Sequence, residues 1–499
     1  MKTAPAEDFT DFAAGWTDGR PQVVVRRVID DLESPVSAYL KVGAGRPYAF
    51  LLESVEGGEL KGRYSILTLD PDLVWRLDGD RASIARDAGV AADAFTPVDG
   101  DAIESLRDII AASRFTPPPG LPPMIGGLFG VFGYDTVRRL EPLGPGRPDE
   151  LNLPDAILTR PSLVAVFDSV RHEIIVAALA YPRPDQTADA AWAAANERID
   201  AFVWAVRQPR LMDAPVVSGA EEPRFVSAMG QEAYEGIVDA AKDYIRAGDI
   251  FQVVLSHRMS ADFSGDPFSV YRALRRQNPS PYLYYLNLGG FQLAGSSPEI
   301  LVRLKDGKVT IRPLAGTRAR GATPEADRAL EAELLADPKE RAEHLMLLDL
   351  GRNDVGRVSK PGTVTVTDSF AIERYSHVMH IVSNVQGQAD PSIDAVDALL
   401  AALPAGTLSG APKVRAMEII DELEISRRGP GYGGGVGYIS PTGEADICIV
   451  LRTALFTPGK IHVQAGAGVV ADSDPSAEFR ETEMKAQAVI RAAQDAWRF

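Results

Sequence analysis

Short apolar runs of strand length, each ended by a turn, alternate irregularly with helical segments along the whole chain, and this irregularity restricts the architecture. A strict βαβ repeat would wind a parallel sheet, whereas strands that follow one another as meanders make antiparallel sheets with helices set to the side. Gln22 to Val28, Val36 to Val42, Tyr48 to Glu53 and Leu163 to Phe167 are rich in Val, Tyr and Leu and read as strands. Asp101 to Ala112 and Thr187 to Val206 read as helices. Gly126 to Tyr134 sets glycines inside an apolar run, which predicts close backbone approach between packed strands, and Thr116 to Pro123 before it reads as a rigid connector. Between Arg207 and Pro223 the periodicity gives way to prolines, serine and acidic residues, so a boundary falls there, dividing residues 1–215 from 216–499. Beyond it, Gln231 to Ala247 reads as a helix and Ile250 to Leu255 as a strand. The expected class is α+β in one large composite unit.

A chain of 499 residues exceeds what one hydrophobic core usually supports. Its formal net charge of -17 argues against nucleic acid, whose phosphates are bound by neutralising them with Lys and Arg. No run approaches the roughly 20 apolar residues that span a bilayer. Neither does Met1 open a basic and then apolar leader, so the expected location is the cytoplasm. The one cysteine, Cys448, lies in the apolar run Asp446 to Leu451 and is expected to be packed core.

Two helical segments carry carboxylate pairs that helix stability does not require: Glu340 with Glu343, and Glu478 with Glu481. Residues three apart share a helix face, so each pair concentrates negative charge that a proton or a cation must relieve. Lys485 lies one turn beyond the second pair, and His344 follows the first. The ordinary reading is an acidic first turn complementing the helix dipole, with Asp337 or Asp474 as cap and Pro338 or Pro475 next. Oxygen ligands without clustered His or Cys favour Mg²⁺ over zinc. Four glycine-rich segments, Pro313 to Arg318, Gly406 to Lys413, Gly431 to Tyr438 and Gln464 to Gly468, offer backbone N–H groups to an anion. The second opens a helix after Pro412, as anion sites often do. Gly429, Gly431 and Gly434 fit a dinucleotide pattern but run into a strand, and the Lys413 segment lacks Walker spacing, so neither NAD nor ATP is supported. In the β-like run Arg374 to Ser383, Tyr375, His377 and Met379 alternate with Ser376, Val378 and His380; His380 is either a satisfied core histidine or a general acid or base.

These motifs, from Leu51-Leu-Glu-Ser54 and Gly62-Arg-Tyr-Ser65 through Lys485, resemble in order and spacing the large synthase subunits of anthranilate synthase, within the chorismate-utilising enzyme family. The resemblance implies a β-sandwich core of mainly antiparallel sheets with helices packed outside. It implies Mg²⁺ held by Glu343 and Glu481, Glu340 as general acid, and His380 and Thr407 as further catalytic groups. Gly316, Thr317, Tyr432, Arg452, Gly466, Ala467, Gly468 and Lys485 would contact chorismate. Relatives that form 4-amino-4-deoxychorismate carry a nucleophilic lysine where this chain has Ala315, and relatives that add water carry a lysine where it has Gln252. Ammonia is then the expected attacker and anthranilate the product, with ammonia delivered by a separate glutamine amidotransferase subunit in a hetero-oligomer. The alternatives are 4-amino-4-deoxychorismate synthase or another chorismate enzyme, or a non-catalytic tryptophan-binding subunit. Leu52, Glu53, Ser54, Asn278, Pro281, Tyr282 and Leu283 resemble a tryptophan feedback site. Leu67-Thr68 departs from the family, which more often has a glycine there.

Overall fold

The computed structural model describes residues 9–56, 60–86, 94–209, 222–375 and 378–499. Every strand pairing among them is antiparallel, and the pairings trace two sheets. In the first, Gln22–Ile29, Glu173–Ala180, Ala156–Asp168, Leu60–Asp78, Phe50–Glu56, Tyr282–Asn287, Gln292–Ser297, Thr453–Thr457, Lys460–Val469 and Gln252–Asp262 lie side by side. In the second, Ala156–Asp168 pairs on to Leu128–Phe132, then Gly435–Ile439, Ala445–Ile449, Ile300–Lys305, Lys308–Ile311 and Val378–Gln388. The long strands Leu60–Asp78 and Ala156–Asp168 run through both, bending where their register shifts between Pro71 and Leu73.

Facing side chains fill the space between the sheets. Phe50, Tyr284, Leu293 and Leu455 of the first meet Phe129, Val131, Val436 and Cys448 of the second in one buried cluster. Helices cover the outer faces: Pro267–Gln277, Ala188–Val206 and the C-terminal half of Pro475–Asp495 on the first sheet, Ala102–Ala112, Pro338–Arg357 and Ala395–Ala402 on the second. This is the α+β sandwich with external helices expected from the sequence. The glycines of the Gly126 to Tyr134 run sit where strands close up: a Cβ on Gly130 would lie 2.0 Å from the Ile157 carbonyl oxygen.

One element differs. Val36 to Val42 is no strand but part of the helix Pro35–Val42, in which Ser34 accepts the Ser37 N–H and Pro35 fills the first turn. The boundary stretch lies mostly outside the described residues, and strands from either side of it pair, Phe50–Glu56 with Tyr282–Asn287 and Leu128–Phe132 with Gly435–Ile439. His377 and Ser376 also lie outside the described residues.

Candidate active site

Both carboxylate helices begin as their sequences require. Asp337 accepts the Lys339 and Glu340 N–H groups at 2.9 and 3.3 Å. Asp474 accepts the Ala477 N–H at 2.8 Å, and a proline follows each cap. The fold then turns the two carboxylate faces toward each other. Glu343 is held above the usual carboxylate range, first by burial and then by the charges of Glu340 and Glu481, with Lys485 and Lys339 opposing. Glu478 is raised by burial and by Glu481. Such an excess of buried negative charge fits a cation. Among the described residues no three acidic, histidine or cysteine side chains converge into a closed cage, so a divalent ion here would share its shell with water or substrate. Lys485 bridges Glu481 Oε1 at 2.7 Å and the Gly466 carbonyl at 3.0 Å, tying the helix to a glycine segment.

The glycine segments close around this point because their missing side chains leave room. Gly316 sits at φ +67 in a bulge between Ala315 and Thr317, and a Cβ there would lie 3.2 Å from Glu340 Oε2. A Cβ on Gly466 would be 2.7 Å from the Tyr432 hydroxyl, and one on Gly468 would be 2.5 Å from Gln252 Nε2. Between them Ala467 alternates to the other face and is fully buried. Gln252 is buried, and its Oε1 has no hydrogen-bond partner among the described residues.

His380 stands opposite Thr317 in the register. Its Nδ1 lies 2.9 Å from the Gly316 carbonyl, which can only accept, so Nδ1 carries the proton and Nε2 is the free base. Thr317 Oγ1 is 3.1 Å from the same nitrogen. Burial, aided by the charge of Arg452, lowers the imidazole to about 4, so it is neutral across the physiological range. Arg452 adopts φ +49, a left-handed conformation that costs a non-glycine residue on the order of 1–3 kcal/mol. Its guanidinium has no hydrogen bond or ion pair among the described residues, and burial lowers its pKa, opposed by the charges of Tyr375 and Glu299.

Glu299 was not singled out by the sequence. It follows Ser296-Ser-Pro as the chain passes between two strands of different sheets, and it is buried. Thr407 donates to both its oxygens, at 3.2 and 3.3 Å. Burial pushes its carboxyl up to about 8 against the pull of Thr407, the Leu314 N–H, Arg452 and Lys485. Glu340, the residue expected to donate a proton, is ion-paired to Arg318 at 3.0 Å, and Arg318 also holds Glu333 and Asp337.

The expected feedback residues divide. Glu53, Ser54 and Leu283 line a cavity of about 680 Å³ together with Asp168, Arg275 and Pro279. Arg275 holds the Glu53 carboxylate with two bonds of 2.7 and 3.0 Å, and Tyr271 donates to it from beneath. Ser54 packs against Gly62, where a Cβ would lie 2.5 Å from its Oγ, so the two motifs are neighbours in space. Tyr282 turns away: its hydroxyl bonds Asp446 at 2.9 Å and accepts from Arg303 at 2.9 Å. Asn278 bonds Ser296, while Leu52 and Pro281 are not part of the cavity wall.

A family described as chorismate binding enzyme matches residues 62–491. The chain is 55% identical over 493 residues to an anthranilate synthase component 1 of Cereibacter sphaeroides, with 98% of each chain covered. It is 50% identical to the component 1 of Pseudomonas putida, with 93% of each covered. The crystal structure of anthranilate synthase component I from Streptococcus pneumoniae TIGR4 superposes with a TM-score of 0.75 at 35% identity, over 93% of this chain and 99% of that one. With the family model matching residues 62–491 and relatives this similar over this length, the chain belongs to the chorismate binding enzyme family, among its anthranilate synthase component 1 members.

Proposed function

We propose that this chain is the synthase subunit of an anthranilate synthase, converting chorismate and ammonia into anthranilate and pyruvate as a step toward tryptophan. The observation that carries the reading is Glu299, a carboxyl still protonated at neutral pH, set beside the unpaired guanidinium of Arg452. Chorismate is a dianion. Arg452, Lys485 and the amides around Gly316 and Gly466 to Gly468 receive its carboxylates and offset their desolvation, and Tyr432 and Thr317 complete the wall. Glu299, steadied by Thr407, gives its proton to the departing ring hydroxyl, which would otherwise leave as hydroxide. Ammonia adds at the ring carbon between those bearing the carboxylate and the enolpyruvyl group, the two ring double bonds shift toward the carbon that loses water, and the added nitrogen gives up a proton; neither Ala315 nor Gln252 supplies an amine to compete with it. His380 Nε2 then takes the proton from the carbon that bears the new amine as the bond from the ring to the enolpyruvyl oxygen breaks, so the ring becomes aromatic and the departing enol, protonated at its methylene, is pyruvate. Mg²⁺, held by Glu343 and Glu481, would draw charge from the substrate carboxylate and the leaving oxygen. In this arrangement Glu340 and Glu478 lie beside the metal ligands, with Glu340 anchored by Arg318 rather than releasing a proton.

A separate glutamine amidotransferase subunit supplies the ammonia. The lone Cys448 supports this division: it is 1% exposed in the sandwich core, and burial pushes its thiol up, which is unsuited to a nucleophile. Residues 216–499 hold the chorismate site, while 1–215 supply most of the wall of the cavity at Glu53, where tryptophan binds as feedback inhibitor. No helix among the described residues is long and apolar enough to cross a membrane, which supports a cytoplasmic enzyme.

The test is direct. The purified chain with chorismate, Mg²⁺ and ammonium produces anthranilate fluorescence, and glutamine does not replace ammonium. Tryptophan suppresses the signal and binds by calorimetry. A product that stops at 4-amino-4-deoxychorismate moves the assignment to that relative, and a folded chain that yields no amination product sinks the reading.

A further inference from the structure

His257 lies outside the groups assigned above, yet it joins two elements of the site. It sits on Gln252–Asp262, the strand that carries Gln252 and faces Gly466 and Gly468 in the register. Its Nε2 lies 2.7 Å from Oγ1 of Thr482, the residue that follows Glu481 on the carboxylate helix. Its Nδ1 lies 2.7 Å from Ser227 Oγ. The neighbours fix which nitrogen carries the proton. Ser227 Oγ accepts the N–H groups of Met229 and Gly230, at 3.2 and 3.0 Å, so its own hydrogen goes to Nδ1. Thr482 Oγ1 donates to the Phe479 carbonyl at 2.7 Å, so it must accept from Nε2. The result is a neutral imidazole with both nitrogens satisfied, one acting as donor and the other as acceptor.

The ring is also clamped. It stacks on Phe479, with centroids 5.3 Å apart and planes at 26°, and leans on Tyr234 at 5.1 Å. His257 and Thr482 are both almost inaccessible to solvent. Phe479 and Thr482 lie one turn apart on the buried face of the helix, and Glu478, Glu481 and Lys485 lie along the adjoining stripe. Packing alone permits a helix some rotation about its axis. A hydrogen bond to one polar atom at one point on the buried face removes that freedom, and with it the freedom of the carboxylates beside it.

We propose that His257, through Thr482, is a positioning residue that sets the rotation of the C-terminal helix and thereby places Glu481 and Lys485 for Mg²⁺ and chorismate. This rests on the assignment of Glu481 to the metal. The hydrogen-bond pattern specifies what substitutes for it. A glutamine reaches with one donor and one acceptor and satisfies both hydroxyls, whereas leucine fills the space and satisfies neither.

The experiment is calorimetric titration of Mg²⁺ into the full chain with chorismate present and ammonium absent. The proteins compared are the wild type, Glu481→Gln, His257→Leu, His257→Gln, Thr482→Val and the His257→Leu/Thr482→Val double variant. Tryptophan binding at the remote cavity and a cooperative melt report that each is folded. The expected result is Mg²⁺ affinity weakened about 10-fold or more in His257→Leu and in Thr482→Val, the range for loss of a group that orients a ligand. The double variant is expected to be no worse than either single one, and His257→Gln to stay close to wild type. Thr482→Val is nearly isosteric and keeps the test open if His257→Leu fails to fold. If the folded His257 and Thr482 variants bind Mg²⁺ like wild type while Glu481→Gln does not, the positioning role is overturned and the metal assignment stands. If Glu481→Gln binds like wild type, the metal assignment itself falls and takes the positioning role with it.

Discussion

Glu299 and His380 are pushed in opposite directions by one cause, burial, because one is neutral when protonated and the other when deprotonated. Between about 4 and about 8 the site therefore holds a protonated acid and an unprotonated base together. The expected kcat/KM profile with ammonia in excess falls on the alkaline side as Glu299 ionises near 8, and that limb disappears in Glu299→Gln, whose turnover drops by roughly 10²–10⁴-fold while chorismate still binds. Stability follows the same sign. The unfolded Glu299 loses its proton near the ordinary carboxylate value and the folded one only near 8, so the contribution is full in acid and is lost as pH rises through that window. Thermal melts from pH 6 to 9 check this, with Glu299→Gln the flatter curve. Sequence located the paired carboxylates because spacing alone displays them. It passed over Glu299 because a single carboxyl after Ser-Ser-Pro gives no periodic signal, and its behaviour depends on strands and a threonine far away in the chain.

Among the elements, the helices were the most legible, since Asp337-Pro and Asp474-Pro act within a few residues of where they stand. The misreading of Val36 to Val42 has the same root. Its Val and Tyr content favoured a strand, but Ser34 and Pro35 supply a cap and a first turn, and Ala38, Tyr39 and Val42 recur at helical spacing on the buried face. The bulge at Gly316 was visible only as a glycine. Its function depends on φ +67 and on Glu340, Leu334 and Ile381 crowding the missing side chain, at 3.2 to 3.3 Å. Gly316→Ala is expected to cost about 1–2 kcal/mol for the left-handed backbone alone. Because the displaced atoms include Glu340 Oε2 and the Gly316 carbonyl holds His380, kcat should fall more steeply than the melting temperature. Denaturant titration beside steady-state kinetics separates the two, and an unchanged kcat would refute the link to His380.

At the scale of the molecule, the irregular alternation of strands and helices predicted the class, and the antiparallel sandwich agrees with it. Which strands neighbour which was not readable, because pairings such as Phe50–Glu56 with Tyr282–Asn287 span more than 200 residues and leave no local trace. Leu60–Asp78 and Ala156–Asp168 serve both sheets, and each half of the chain borders strands of the other. Residues 1–209 expressed alone are therefore expected to aggregate, with the edges of Phe50–Glu56 and Leu128–Phe132 open. Co-expressed with 222–499 they should be recovered together through a tag on either piece, and circular dichroism of the pair should match the intact chain. The sandwich thus behaves like a zip with its teeth on two tapes. Severing the backbone between the halves is then expected to release neither, and a lesion in one half that loosens a shared strand is expected to register as instability in the other.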